Sequence, residues 1–199
     1  MVTVQTGQWL RSEEGTRWYF DSGALCLDFA NTGTVRGAPA WEQLATPADL
    51  VHWLGERFDL VAGQATAGEL VDGLSLRAAI AAVTRAISDG DDPRPDDIDT
   101  INLYAATPNI PPTLAGGDRQ AGRSAVRIGQ ALSTIARDAV QLFADHPHGR
   151  VRECAADDCE LIFYDGSRSN NRRWCSMQRC GNRSKVRAHR HRIRETATP

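Results

Sequence analysis

Lysine is all but missing from this chain: of 23 basic residues only Lys185 is not arginine. Guanidinium can grip phosphate bidentately, but GC-rich coding produces the same bias, so the arginine preference alone carries no functional conclusion. No apolar run approaches the roughly 18 residues of a membrane span, and the N-terminus lacks a basic stretch followed by an apolar one. The expectation is a cytoplasmic protein. GxGxxG, P-loop, HExxH and GxSxG motifs are absent, as is any coherent nucleophile and base pair, so no enzyme is expected. Internal repeats and low-complexity segments are also lacking.

What is present is enough for one substantial core and a small satellite. The 199 residues are 41% hydrophobic, which argues against disorder outside the ends. Charge is divided unevenly. Residues 1–149 hold 11 Lys+Arg against 19 Asp+Glu, and residues 150–199 hold 12 against 6. Between Arg168 and Arg194 there are ten basic residues and no acidic one. Such a block attracts a polyanion, while the acidic remainder discourages indiscriminate binding.

The five cysteines are not scattered. Cys154, Cys159, Cys175 and Cys180 form two CxxxxC pairs with 15 residues between them. Two such knuckles can close a tetrahedral thiolate shell with no position left for substrate, so the pattern predicts one structural Zn2+ in preference to iron, two disulfides or four unrelated thiols. His146, His148, His189 and His191 are near in sequence, but four thiolates already complete the tetrahedron. Cys26 stands alone in an apolar context and reads as a buried small hydrophobe rather than a nucleophile.

The second knuckle runs Trp174-Cys175-Ser176-Met177-Gln178-Arg179-Cys180-Gly181-Asn182-Arg183. With Leu161-Ile162-Phe163-Tyr164-Asp165 and Arg172-Arg173-Trp174-Cys175 before it, this stretch resembles the CGNR zinc finger over about residues 150 to 192. Upstream, Leu25-Cys26-Leu27-Asp28-Phe29-Ala30-Asn31-Thr32 resembles the LDFxNT signature that opens the ABATE domain, the usual N-terminal partner of that finger. The resemblance implies a bacterial stress-related transcription regulator. It also singles out Asp28 and Asn31 in the signature and Arg77 in the LREA-like Leu76-Arg77-Ala78-Ala79. These three residues either line a small polar ligand pocket or form a buried network that fixes the fold.

Periodicity supplies the architecture. Gln8-Trp9-Leu10 and Arg17-Trp18-Tyr19-Phe20 flank Glu14-Gly15 and predict a short hairpin. Thr46-Pro47-Ala48-Asp49 opens a helix over about 47–57. Further helices are expected over 67–88, around Ile98 to Tyr104, and over 124–144, the last with Val126, Ile128, Leu132, Ile135, Ala139 and Leu142 on one face. His146-Pro147-His148-Gly149 should end it. Leu161 to Tyr164 predicts a strand, Ser176 a cap for a helix running through Arg187, and Gly181 a tight turn leaving the knuckle. The fold expected is mainly α: a helical regulatory domain over 1–149 with a short β-hairpin, then a treble-clef-like four-cysteine zinc finger over 150–199.

Arg172, Arg173, Arg179, Arg183, Lys185, Arg187 and Arg190 are the expected nucleic-acid face, with DNA as partner and phosphate contact more secure than base reading. Trp174 either stacks on a base or packs over the metal site. Asn182 either bonds local backbone or reaches a base. One finger has a small footprint, so a homodimer or helper contacts are expected, together with a small-molecule effector for the N-terminal domain. The reading from a different class is a zinc-stabilised module that grips an acidic partner protein without touching DNA.

Overall fold

The computed structural model describes residues 5–11, 15–33, 42–58, 63–112, 125–145, 149–187 and 193. Strands β1 (Gln8–Arg11) and β2 (Arg17–Phe20) pair antiparallel as the expected hairpin, Trp9 opposite Tyr19 and Leu10 opposite Trp18. The two-residue period of a strand sorts their side chains. Leu10, Trp18 and Phe20 are buried, whereas Trp9, Arg17 and Tyr19 face out.

Among the described residues the helices that follow are α1 (Leu25–Ala30), α2 (Pro47–Gly55), α3 (Ala67–Asp89), α4 (Pro95–Ala105) and α5 (Ile128–Asp145). Helix α2 begins with the expected capping box, Thr46 and Asp49 satisfying each other's backbone N–H groups, and Pro47 sits in its first turn. Helix α3 repeats the device with Thr66 and Glu69, and it stops at Gly90, whose φ of 82° is the left-handed cap that glycine adopts without a Cβ penalty. Helix α1 was not legible from periodicity. All six of its residues are buried, so no polar face alternates with an apolar one. It runs through the centre of a core built from Leu27, Phe29, Leu50, Leu54, Leu76, Ile80, Leu132 and Ile135.

Beyond Gly149, β3 (Val151–Glu153) and β4 (Ile162–Tyr164) pair antiparallel, Val151 opposite Tyr164. A π-helical turn, Met177–Gly181, then continues as a helix through residue 187; together they form α6. The His146–His148 stretch expected to mark the boundary lies outside the described residues.

The two cores do not divide at that boundary. Val151 and Ile162 belong to the helical core, while Leu10, Trp18 and Phe20 from the N-terminal hairpin pack with Ala156, Leu161, Phe163 and the four knuckle cysteines. Glu153 extends the contact, its N–H bonding the Ser88 hydroxyl at 3.0 Å and its carboxylate lying 3.7 Å from Arg85. Among the described residues no helix is long and apolar enough to cross a membrane.

Candidate metal centre and basic face

The first knuckle is the connection of the β3–β4 hairpin. Cys154 donates its N–H to Leu161 O at 2.9 Å, and Cys159 donates to Ala156 O at 2.9 Å, which closes the turn. The second knuckle sits at the start of α6, where Ser176 Oγ accepts the Arg179 N–H at 3.4 Å, as its capping role predicted. Ala155 N–H bonds Arg173 O at 2.9 Å and ties one knuckle to the other. A strand-bearing knuckle facing a knuckle at a helix start is the treble-clef-like arrangement expected.

All four Sγ atoms lie within 4.8 Å of one another, with Cys159 and Cys175 3.6 Å apart and Cys175 and Cys180 3.4 Å apart. A tetrahedron with zinc–sulfur bonds of about 2.3 Å has edges of about 3.8 Å, so the cluster has the size of a zinc shell. The four thiols are free and buried. Mutual hydrogen bonding draws their proton affinities apart, Cys154 and Cys180 falling below the ordinary thiol range while Cys159 and Cys175 rise above it. Four sulfurs this close cannot share negative charge without a cation, and a dication removes the conflict. Outer donors are in place as well: Cys175 N–H lies 3.3 Å from Cys154 Sγ and Arg183 Nη2 3.5 Å from Cys180 Sγ. The site is suited to one structural zinc ion, which would tie β3, β4 and α6 together without entering any reaction.

Two details differ from or resolve the sequence expectations. Gly181 does not form a turn leaving the knuckle; it lies inside the helical turn, where a Cβ would stand 2.7 Å from Met177 Sδ and 3.2 Å from Trp174 Cδ1. Glycine there leaves space against Trp174 and the flexible end of Met177, and its φ lies outside the left-handed region. Trp174 packs against the cysteine core, with the Arg173 guanidinium 5.2 Å from its ring centre.

The basic residues separate into distinct groups. Arg172 is committed inside the fold: its guanidinium lies 4.2 Å from the Phe163 ring centre and donates to Trp174 O, Cys175 O and Asp21 O. Arg179 stacks on Trp18 at 3.6 Å and so joins α6 to the hairpin. Arg183 and Arg187 converge on Asp158 at 3.0 and 2.9 Å, and Arg187 also lies 3.8 Å from Asp157. The run that is acid-free in sequence is therefore not acid-free in space. Arg168, Arg173 and Lys185 are exposed, while Arg190 lies outside the described residues. The signal for the acidic partners was in the first knuckle itself, Cys154-Ala155-Ala156-Asp157-Asp158-Cys159.

Asp28, Asn31 and Arg77 have three separate sets of partners. Arg77 makes a bidentate pair with Glu42 at 2.6 and 2.8 Å. Asn31 reaches across to the finger: its Oδ1 accepts the Ile162 N–H at 3.0 Å, and its Nδ2 donates to Ile162 O at 2.9 Å and Leu27 O at 2.6 Å. The buried Asp28 carboxylate accepts Gly7 N–H and Ser22 Oγ–H, both at 2.6 Å. Cys26 is fully buried, its N–H bonded to Asp138 at 2.9 Å, and burial pushes its thiol up.

Burial raises the Asp28 carboxyl from 3.8 to about 6, against the opposing hydrogen bonds from Ser22 and Gly7. A carboxyl held above its unfolded value gives stability that is full below the unfolded pKa and is lost as pH rises through the folded one. Stability should accordingly decline by on the order of 2 to 3 kcal/mol between about pH 4 and pH 7 from this group. Denaturation midpoints across that range should show the decline in the parent and a flatter profile in Asp28→Asn. Equal slopes in both proteins would exclude Asp28 as the source.

A mainly helical domain whose N-terminal hairpin completes a four-cysteine finger defines a class of two-part zinc proteins. Residues 23–146 match the ABATE family, described as "Putative stress-induced transcription regulator", and residues 150–193 match the CGNR zinc finger. The first match alone spans more than half of the chain: this protein belongs to the ABATE family and carries a CGNR zinc finger. Residues 8–20, the β1–β2 hairpin, fall outside both matches. No curated protein matches the chain.

Proposed function

We propose that this chain is a zinc-dependent DNA-binding protein that regulates transcription and has no catalytic role, the finger making the DNA contact and the helical domain modulating it. The observation that carries the reading is the cationic surface of the finger, where Arg168, Arg173, Lys185 and Arg187 reach solvent on a scaffold that the four cysteines hold in one geometry. Phosphates are the first target of such a surface. Asp158 already occupies Arg183 and Arg187, so duplex DNA must displace it to recruit these two cations. That competition lowers affinity for any polyanion and leaves room for an effector or a second copy of the chain to set the outcome.

Titrations on duplex DNA at several salt concentrations test this, with zinc content followed in parallel. Arg183→Ala with Arg187→Ala is expected to weaken binding and to flatten the dependence on log salt by about one unit for each phosphate contact removed. Asp158→Asn is expected to act in the opposite direction, strengthening binding and steepening the slope. Unchanged affinity and slope in a zinc-loaded double arginine variant would remove these residues from the interface. A parent that binds no duplex at low salt would favour a finger that grips an acidic protein instead.

A further inference from the structure

The outward face of the β1–β2 hairpin and helix α2 enclose an open cleft of about 590 Å³. Its floor is Arg57, whose side chain is only 5% exposed and whose guanidinium lies 3.6 Å from the Trp53 ring centre. Burial of an arginine so deep is unfavourable unless its donors find acceptors. Here the donor set is incomplete. Nη1 donates to Trp53 O at 3.1 Å and to Glu56 at 3.3 Å, and Nη2 reaches Gln8 Oε1 only at 3.4 Å. Nε is buried with no acceptor among the described residues. Desolvation lowers the arginine's proton affinity, against the opposing fields of Asp28 and Glu56.

The walls are aromatic. Trp9 and Tyr19 stand edge to face with ring centres 5.7 Å apart, and Arg17 lies 5.2 Å from the centre of Trp9. Trp9 is 60% and Tyr19 48% exposed, so two adjacent rings present apolar faces to the cleft. The nearby acids are occupied: Asp49 is held in the capping box of α2, and Glu56 on the rim is shared between Arg57 and His52 at 3.3 and 3.6 Å. Flat apolar walls above an under-satisfied guanidinium fit one ligand chemistry, a planar ring bearing a carboxylate.

We propose that this cleft binds a small aromatic carboxylate, the ring against Trp9 and Tyr19 and the carboxylate accepting from Arg57. The hairpin joins the cleft to the finger, so on the DNA-binding reading above the occupant acts as an effector. Side chains alternate across the ribbon, so Trp9 and Tyr19 face the cleft while Leu10, Trp18 and Phe20 on the reverse pack into the cysteine core, and Trp18 carries Arg179 of α6. The binding step does not depend on the DNA reading and is measured without DNA.

Isothermal titration of the zinc-loaded full chain with 2-naphthoate, and with 2-naphthamide as its neutral counterpart, tests the site. One saturable site per chain is expected for the acid, with the amide weaker by about tenfold or more. Arg57→Lys keeps the charge but loses the planar fork and should weaken the acid by a similar factor. Trp9→Ala changes an exposed residue, so it should fold and bind zinc as the parent does yet lose about tenfold for both compounds. Heat of binding absent for the acid up to about 5 mM, equal affinity for the amide, or an unaffected Trp9→Ala variant would each overturn the proposal and leave Arg57 as a clamp between Gln8 and Trp53.

Discussion

Zinc removal, by a strong chelator or by Cys175→Ser, is expected to unfold the finger and release the N-terminal hairpin with it. Small zinc modules draw on the order of 10 kcal/mol or more of folding free energy from their metal. The apolar groups around this site are few, and three of the largest, Leu10, Trp18 and Phe20, come from the hairpin. Without the ion four mutually close thiols remain buried, and the cheapest relief is to open the core that contains them. A loss of about 5 kcal/mol or more is expected. Hydrogen exchange should accelerate in 8–11, 17–20 and 177–187 first, then in β3 and β4, whose Val151 and Ile162 keep a hold in the helical core. Elemental analysis of the parent should give about one zinc per chain. A chelated protein whose hairpin remains protected would show that the hairpin does not depend on the metal, and a zinc-free parent would remove the metal assignment altogether.

Asn31→Leu should be the most damaging single change outside the metal ligands. The leucine matches the asparagine in size but strips Ile162 of partners for both its N–H and its C=O, two buried backbone groups at about 1 to 3 kcal/mol each. The expected loss is about 2 to 5 kcal/mol in urea denaturation. It should be accompanied by faster zinc transfer to a chelator, because β4 leads out of the first knuckle. Asn31→Asp should be no better: it retains an acceptor for Ile162 N–H but sets a carboxylate against two carbonyl oxygens. A destabilisation below about 1 kcal/mol in Asn31→Leu would mean that the clamp is replaced by water.

Much of the layout was legible before any coordinates. Capping boxes and one-sided apolar stripes are local codes, so α2 and α3 follow from them close to their ends and the hairpin from two short alternating runs, whereas α5, expected from Ser124, begins at Ile128 and leaves Val126 ahead of it. Helix α1 escaped because total burial erases the contrast between faces on which a period depends. The candidate site was legible in its ligands and misleading in its charge. Cys154, Cys159, Cys175 and Cys180 announce a metal by spacing alone, whereas the cations around them could be counted but not assigned. Arg172 looked like surface and is woven through the backbone of Asp21 and Cys175. Gly181 looked like a turn residue and instead ends the π-helical turn, close against Trp174.

By itself the sequence determined the four-thiolate chemistry, the helical character of the first domain, the hairpin and the order of the two matched domains, because each is written in residues close to one another along the chain. Tertiary structure alone decided which residues meet. It set Asn31 on the backbone of Ile162, Asp158 against Arg183 and Arg187, the inner face of the hairpin on the cysteine core, and Arg57 under the aromatic cleft. Each of these pairings spans 25 or more residues. No local period or spacing records such a distance; it is fixed only when burial of the two apolar cores brings the segments together and the polar groups trapped between them must find partners.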